Sequence, residues 1–349
     1  MICMNETLIS IRPGDAGMFR QVDGLLASEG LRRDPCLDYT CGLFDDDWNL
    51  IATGSCCGNT LRCLAVRKER QGEGLLVRIV EHLSEVQARR GNLHLFLYTK
   101  KNNVRFFGGL GFFTILETDG VAFMENRRNG FRNYIDGLRP LRPAEGSAAA
   151  IVMNANPFTL GHRRLVERAS EENDAVLLFI LSQDSSLFPA NVRRRLAAEA
   201  VSDLNNVIIA DTDAYMISSA TFPSYFVRDS EEAMRAHARL DAALFGRIAG
   251  ELGIARRYAG EEPTSRVTAI YNQTLLERLP AMGIEFRIIP RLETGGRIIS
   301  ASTVRKAISD GRLEDAADML PMSMLRYLRS PEAEPVISAI RASENIIHH

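Results

Sequence analysis

Apolar and polar positions recur differently in the two halves of the chain. From Leu8 to Glu117 the periodicity keeps changing, which predicts short strands mixed with a few helices. Leu8–Ile11 reads as a strand and Ala16–Glu29 as a helix, and Tyr39–Phe44, Trp48–Ser55 and Thr60–Val66 read as a meander. Leu75, Leu76, Ile79, Val80, Leu83 and Val86 line one helical face, with Arg89 and Arg90 at its negative end and Gly91 placed to cap it. Leu93–Thr99 follows as a strand, Asn102–Gly109 as a short helix and Phe112–Glu117 as another strand, an α+β layer.

In the second half strand and helix alternate. Ala148–Met153, Ala175–Leu181, Asn206–Ala210, Arg256–Gly260 and Ile284–Ile289 are apolar runs of strand length. Helical stretches separate them, among them Asn191–Ser202, Glu231–Gly250 and Tyr271–Leu279. That order predicts an α/β domain with a parallel sheet, helices on both faces and ligands at the carboxyl ends of the strands. Gly137–Ser147, with two prolines and two glycines, marks the seam. The expected organisation is a first domain over residues 1–140, a linker over 141–147, a second domain over 148–330 and a tail over 331–349.

Composition narrows the class. At 349 residues the chain exceeds one ordinary core, and 46% hydrophobic with 25% charged residues is the balance of a soluble protein. No apolar run reaches the ~20 residues of a membrane span, and no basic-then-apolar leader opens the chain, so a cytoplasmic setting is expected. A net charge of −2 argues against general affinity for nucleic acid or anionic membrane. Lysines are only Lys68, Lys100, Lys101 and Lys306, so phosphate contacts would fall mostly to arginine forks. Cys3, Cys36, Cys41, Cys56, Cys57 and Cys63 form no C-x-x-C pair and lack a histidine at zinc spacing. They are expected as small buried hydrophobes in a reducing compartment, with no metal held by protein ligands. His348 and His349 belong to the expected frayed tail.

One stretch carries candidate chemistry: MNANPFTLGHRRLVERA, Met153–Ala169. The first strand of the second half ends at Met153, and Gly161-His162 opens a helix, where free backbone N–H groups and the dipole favour a phosphate. Gly161 lets backbone approach a ligand, and His162 can donate to an oxygen that gains charge. Thr159 and Asn156 supply neutral donors, and Asn154, Pro157 and Phe158 complete the loop. A second stretch, GGRIISASTVRKAI over Gly295–Ile308, has a flexible entry, then Ser300, Ser302 and Thr303 at another helix start. Ser302 is the expected N-cap, with Thr303 as an alternative, and Arg305 lies in the first turn.

Together T-x-G-H (Thr159–His162) and I-S-x-S-T-x-x-R resemble the nucleotidyltransferase superfamily, in which a nucleoside triphosphate is attacked at its α-phosphorus. Thr159 stands where many members carry His. NANPFTLGH, SSATFPSYF (Ser218–Phe226), EEPTSRVTAIYNQT (Glu261–Thr274) and ISASTVR (Ile299–Arg305) are similar to stretches of the citrate (pro-3S)-lyase ligase family, a likeness running from about Arg12 to about Leu328. RQGEGL (Arg70–Leu75) and FFGGLGF (Phe106–Phe112) resemble the pyrophosphate turn and terminal signature of the GNAT-type N-acetyltransferase fold. In that turn Gln71, Gly72 and Gly74 would face a coenzyme A pyrophosphate, although Glu69 takes a place usually held by Gln or Arg.

The resemblance implies a GNAT-like α+β domain followed by a Rossmann-like, cytidylyltransferase-type nucleotidyltransferase domain. It implies ATP-dependent acetylation of the prosthetic-group thiol on citrate lyase's acyl carrier subunit, by way of acetyl adenylate. His162, Thr159 and Arg305 would be catalytic. Asn154, Asn156, Pro157, Phe158, Gly161, Ser300, Ser302 and Thr303 would bind ATP, whose phosphates carry Mg²⁺. Ser218, Ser219, Thr221 and Tyr225 form a candidate substrate loop. One of Arg193–Arg195 would face a phosphate, and Asp211 and Asp213 are candidates for ribose or magnesium. Two other readings stand beside this one: adenylylation of a phosphorylated cofactor precursor, and a non-catalytic regulator that binds nucleotide or acetyl-CoA.

Overall fold

A computed structural model of the chain describes residues 6–118, 120–182, 186–216, 230–261 and 266–343. Described residues up to 131, with 230–240, form one compact unit; those from 132 to 216 and from 241 onward form another.

The first unit is the expected α+β layer. Its strands β1 (Thr7–Ile11), β2 (Tyr39–Phe44), β3 (Leu50–Cys57), β4 (Thr60–Val66), β5 (Phe96–Thr99), β6 (Phe113–Glu117) and β7 (Ala122–Glu125) form one sheet in the order β1-β2-β3-β4-β5-β7-β6. Neighbours run antiparallel except β4 and β5, which pair in parallel only through Thr60–Leu61 and Phe96–Leu97. Helix α1 (Ala16–Ser28) buries Val22, Leu25 and Leu26. Helix α2 (Leu75–Arg89) buries Leu75, Ile79, Val80 and Leu83, and a short α3 spans Val104–Gly109. A Cβ at Gly54 would lie 2.4 Å from Ile79 Cγ2, so glycine is what lets α2 close on β3. Gly91, at φ +84°, ends α2 while the Asn92 N–H returns to the Gln87 carbonyl at 2.9 Å.

Several expectations move here. Trp48 opens no strand: at φ +60° it sits in a turn whose N–H donates to the Asp45 carbonyl at 3.0 Å, and β3 begins at Leu50. The helix expected from Asn102 begins as a 3₁₀ turn over Lys101–Asn103. Strand β7 was not anticipated; four residues are too short a signal alone, and its pairing with both β5 and β6 makes it. The cysteines are not all free. Cys36 and Cys57 pair as a disulfide with Cα atoms 5.7 Å apart, whereas Cys41, Cys56 and Cys63 are free and buried. Burial pushes the Cys41 and Cys63 thiols up to about 12, so they act as small hydrophobes.

Helix α4 (Gly130–Leu138) precedes the alternating half. There β8 (Ala148–Met153), β9 (Ala175–Ile180), β10 (Val207–Ala210), β11 (Ile254–Gly260) and β12 (Glu285–Ile289) form a fully parallel sheet in the order β10-β9-β8-β11-β12. These are the five expected strands within two residues at each end. The connecting helices are α5 (Leu160–Glu172), α6 (Ala190–Ala200), α7 (Ser230–Leu252) and α8 (Arg266–Arg278). β8 lies at the centre and strand order reverses there, so the crevice between the carboxyl ends of β8 and β11 is the switch point where such sheets bind ligands.

Strands β13 (Glu293–Thr294) and β14 (Arg297–Ile298) make a hairpin that leads into α9 (Ala301–Ser309). The flexible entry expected at Gly295-Gly296 is a defined turn, with φ +54° and +73°, a two-residue loop that needs left-handed backbone at both positions. Helices α10 (Met322–Leu328) and α11 (Glu334–Ala342) follow. α11 corrects the expected tail: Val336 and Ile340, one turn apart, are buried in the same core as Ile151, Leu178 and Val304. No helix among the described residues is long and apolar enough to cross a membrane.

A buried ionic cluster ties three elements of this unit together. Arg257 on β11 donates to Asp241 on α7 at 3.0 Å and to the Tyr271 hydroxyl on α8 at 2.9 Å, and Tyr271 donates to Asp241. Arg257 and Asp241 side chains are each 4% exposed, so removing either strands a charge away from water. Asp241→Ala is expected to cost about 3–5 kcal/mol, and Tyr271→Phe about 1 kcal/mol. Denaturant midpoints measure both; a cost below about 1 kcal/mol for Asp241→Ala would contradict a paired buried charge.

Candidate functional site

The loop after β8 is buried almost throughout. Ala155, Asn156, Phe158 and Thr159 are all under 4% exposed, so its backbone groups must be met from within the protein. Two buried arginines do much of this. Arg193 on α6 donates from Nη1 to the Asn154 carbonyl at 2.7 Å and side chain at 2.9 Å, and from Nε to the Phe188 carbonyl at 2.9 Å. Arg305 on α9 donates to the Asn156 carbonyl. Burial lowers the Arg305 guanidinium to about 10, which still leaves it protonated near neutrality. Asn156 Oδ1 accepts the Phe188 N–H at 3.1 Å, and Asn154 exchanges hydrogen bonds with Ser186. Asn156 Nδ2 is buried with no hydrogen-bond partner among the described residues, a donor left over for a ligand.

Thr159 and His162 cap α5 reciprocally. Thr159 is the N-cap, its hydroxyl accepts the His162 backbone N–H at 3.4 Å, and its own N–H donates to His162 Nδ1 at 3.0 Å. Because Nδ1 accepts from a backbone N–H, a neutral ring carries its proton on Nε2. Burial first, and the Arg291 charge second, lower His162 to about 4. The ring is thus a neutral Nε2–H donor at the start of a helix, packed beside Phe158 with centroids 5.5 Å apart. It cannot serve as a general acid near neutrality.

The second motif meets the first directly. Ser300, not Ser302, caps α9: its hydroxyl accepts the Thr303 N–H at 3.1 Å and lies 3.0 Å from Ser302 Oγ and 2.7 Å from Thr303 Oγ1. The cap falls two residues early because buried Ile299 ends the hairpin approach and Ala301 already has helical backbone. A Cβ at Gly161 would sit 3.6 Å from Ile299 Cγ2, ordinary contact, so both helix starts share one rim. Arg305 adds the second tie through Asn156, which makes it a brace beneath the loop.

Other anticipated residues scatter. Ser218, Ser219, Thr221 and Tyr225 lie outside the described residues. Among Arg193–Arg195, Arg193 is fully buried, Arg195 pairs with Glu332 and Glu199, and Arg194 lies 3.6 Å from Asp211. Arg291 was not anticipated; it follows β12, donates to the Glu261 carbonyl at 2.9 Å, and its charge reaches His162. An arginine just past the carboxyl end of a parallel strand was the available signal. Among the described residues no three His, Cys, Asp or Glu side chains group as metal ligands.

In the first unit Gly72 (φ +90°) and Gly74 (φ +78°) make the turn before α2, and Gln71 Nε2 donates to Glu29 at 3.2 Å. Arg70 is held by Glu73 and Glu6 at 2.7 Å each, and Arg78 pairs with Glu6 as well. Both arginines are thus paired with carboxylates, and Glu73 stands inside the turn. Arg70 and Arg78 are not free to meet a coenzyme A pyrophosphate at this turn.

Residues 148–328 match the family described as citrate lyase ligase C-terminal domain. The "[Citrate [pro-3S]-lyase] ligase" of Klebsiella pneumoniae is 36% identical over 285 residues, 80% of this chain and 83% of that protein. The chain belongs to the citrate lyase ligase family. The Haemophilus influenzae ligase of the same name is 32% identical over 88% of this chain and 94% of its own length. An acyl-CoA N-acyltransferase structure from Pseudomonas aeruginosa is similar over 35% of this chain and all of its own, at 14% identity and a TM-score of 0.29. The stretch matched to the ligase family holds both helix starts described above.

The depressed His162 fixes a pH dependence. The unfolded chain binds its proton near 6.5 and the folded one near 4, so the unfolded state holds more protons between those values. Stability of this unit is expected to fall as pH drops through that window, by roughly 2 kcal/mol from this ring once its partial solvent contact is allowed for. His162→Gln should flatten that part of the profile. Denaturant midpoints across pH check it, and an unchanged profile in the variant would contradict a neutral, crowded ring.

Proposed function

We propose that the protein activates acetate with ATP and passes the acetyl group to the prosthetic-group thiol of citrate lyase's acyl carrier subunit. An acetate oxygen attacks the α-phosphorus, the bond to the β-phosphate oxygen breaks, and pyrophosphate leaves acetyl adenylate behind. The thiol sulfur then attacks the acetyl carbon, giving a thioester and AMP.

The residues divide by reach. His162 donates from Nε2–H to an α-phosphate oxygen as negative charge builds there. Asn156 Nδ2, which has no partner among the described residues, provides a second neutral donor. Ser302, Thr303 and the first N–H groups of α9 receive the outer phosphates, with Mg²⁺ carried on the nucleotide. Arg305 acts through Asn156, whose carbonyl it holds, and Gly161 leaves the rim open to the ligand. Asn154, Pro157 and Phe158 shape the loop that places these donors. The observation that carries the reading is the Thr159 N–H bond to His162 Nδ1, since it leaves the ring proton on Nε2 at a helix start. Family membership supports the same chemistry.

ATP–pyrophosphate exchange with purified protein, Mg²⁺ and acetate tests the proposal. Exchange is expected to require acetate and to fall about a hundred- to a thousandfold in His162→Ala. Exchange seen only with phosphopantetheine or nicotinamide mononucleotide would replace acyl activation by nucleotidyl transfer to a cofactor precursor. ATP binding with no exchange on any acid would favour a regulatory nucleotide-binding module.

A further inference from the structure

On the far side of β8 from the switch point, the carboxyl ends of β9 and β10 open on a cavity of about 290 Å³. Ser182, Asn191, Arg194, Asp211 and Asp213 supply its polar lining, and Ile180 and Ala190 its apolar wall. The cavity is coupled to the site already described through α6, because Arg193 of that helix holds Asn154 while Asn191 and Arg194 face the cavity. Ser182 donates to Asp211 Oδ1 at 3.0 Å, which fixes one carboxylate oxygen and leaves the other toward Arg194.

Size and charge select the occupant. The volume lies just below the roughly 300–1,000 Å³ of small-molecule pockets, enough for the end of a chain and too little for a whole nucleotide. Two aspartates against one arginine disfavour a carboxylate or phosphate, and the arginine disfavours a cation. Alternating carboxylate acceptors with guanidinium and amide donors suits an uncharged ligand that both donates and accepts, as successive secondary amides do. We infer that this cavity receives the amide-bearing, thiol-ended arm of the acyl acceptor. The inference rests on the adenylation reading and places its second substrate. Held there, the thiol sulfur bonds to the acetyl carbon and the acyl C–O bond to phosphate breaks. The electron pair leaves with AMP, and the thiol proton passes to water.

Two assays on the full chain separate the half-reactions: acetate-dependent ATP–pyrophosphate exchange, which needs no acceptor, and acetyl transfer to free pantetheine, followed as loss of thiol. Ala190→Trp fills the cavity, and Arg194→Gln alters a side chain 46% exposed at its edge, so neither depends on rebuilding the core. Both variants should keep exchange within about twofold while the pantetheine KM rises about tenfold or more, a loss of about 1.4 kcal/mol. An unchanged pantetheine KM in both would overturn the inference. So would a rise in the acetate KM with the pantetheine KM unmoved, which would assign the cavity to the acid. Absence of exchange in the unsubstituted protein would instead remove the adenylation reading, and this inference with it.

Discussion

A buried loop at the end of a parallel strand must have its carbonyls and amides satisfied by the protein, and the site depends on how residues 154–159 meet that demand. Arg193 reaches in from α6 and Arg305 from the motif-bearing α9, and both donate to main-chain carbonyls of or beside this loop. Those bonds join the loop after β8 to α6 and α9. With the loop held, Thr159 can cap α5 and offer its N–H to His162. An arginine used in this way is a fixed strut. Lysine, a single point charge on a flexible stem, lacks the rigid fork with which Arg193 reaches two carbonyls from two separate nitrogens.

The electrostatics follow from the same burial. A crowded ring beside Arg291 loses affinity for its proton, so His162 remains the neutral donor that the proposed chemistry calls for. The other donors near it, the Asn156 amide and the α9 hydroxyls, are neutral as well. Positive charge comes from Arg291 after β12 and Arg305 beneath the loop. The first unit keeps glycines at its turn and pairs the nearby arginines with Glu6 and Glu73.

Much of the fold was legible because short apolar runs of five to seven residues, alternating with helical stretches, leave few alternatives to a parallel sheet. The α2 face was legible for the same reason, down to the glycine that ends it. What was hidden depends on partners distant in sequence. Nothing local distinguishes Arg193 from Arg194 and Arg195, yet one is fully buried and two are exposed. Ser300 outcompetes Ser302 as a cap because of where the hairpin from β13 and β14 delivers the chain. α11 reads as a tail because a Pro- and Glu-rich stretch opens it, and Val336 and Ile340 against the sheet's core reveal it. The motif residues themselves were readable, but their bonds to one another were not: the Arg305–Asn156 tie spans 149 positions.

Nitrogen NMR of the labelled histidines, recorded across pH with and without a non-hydrolysable ATP analogue, tests the account most directly. It predicts that His162 holds its proton on Nε2, takes up a second proton only near 4, and shows its Nε2 signal shifting when the analogue binds. A ring titrating near the ordinary value of about 6.5, or one carrying its proton on Nδ1, would contradict the neutral donor on which the proposed chemistry rests.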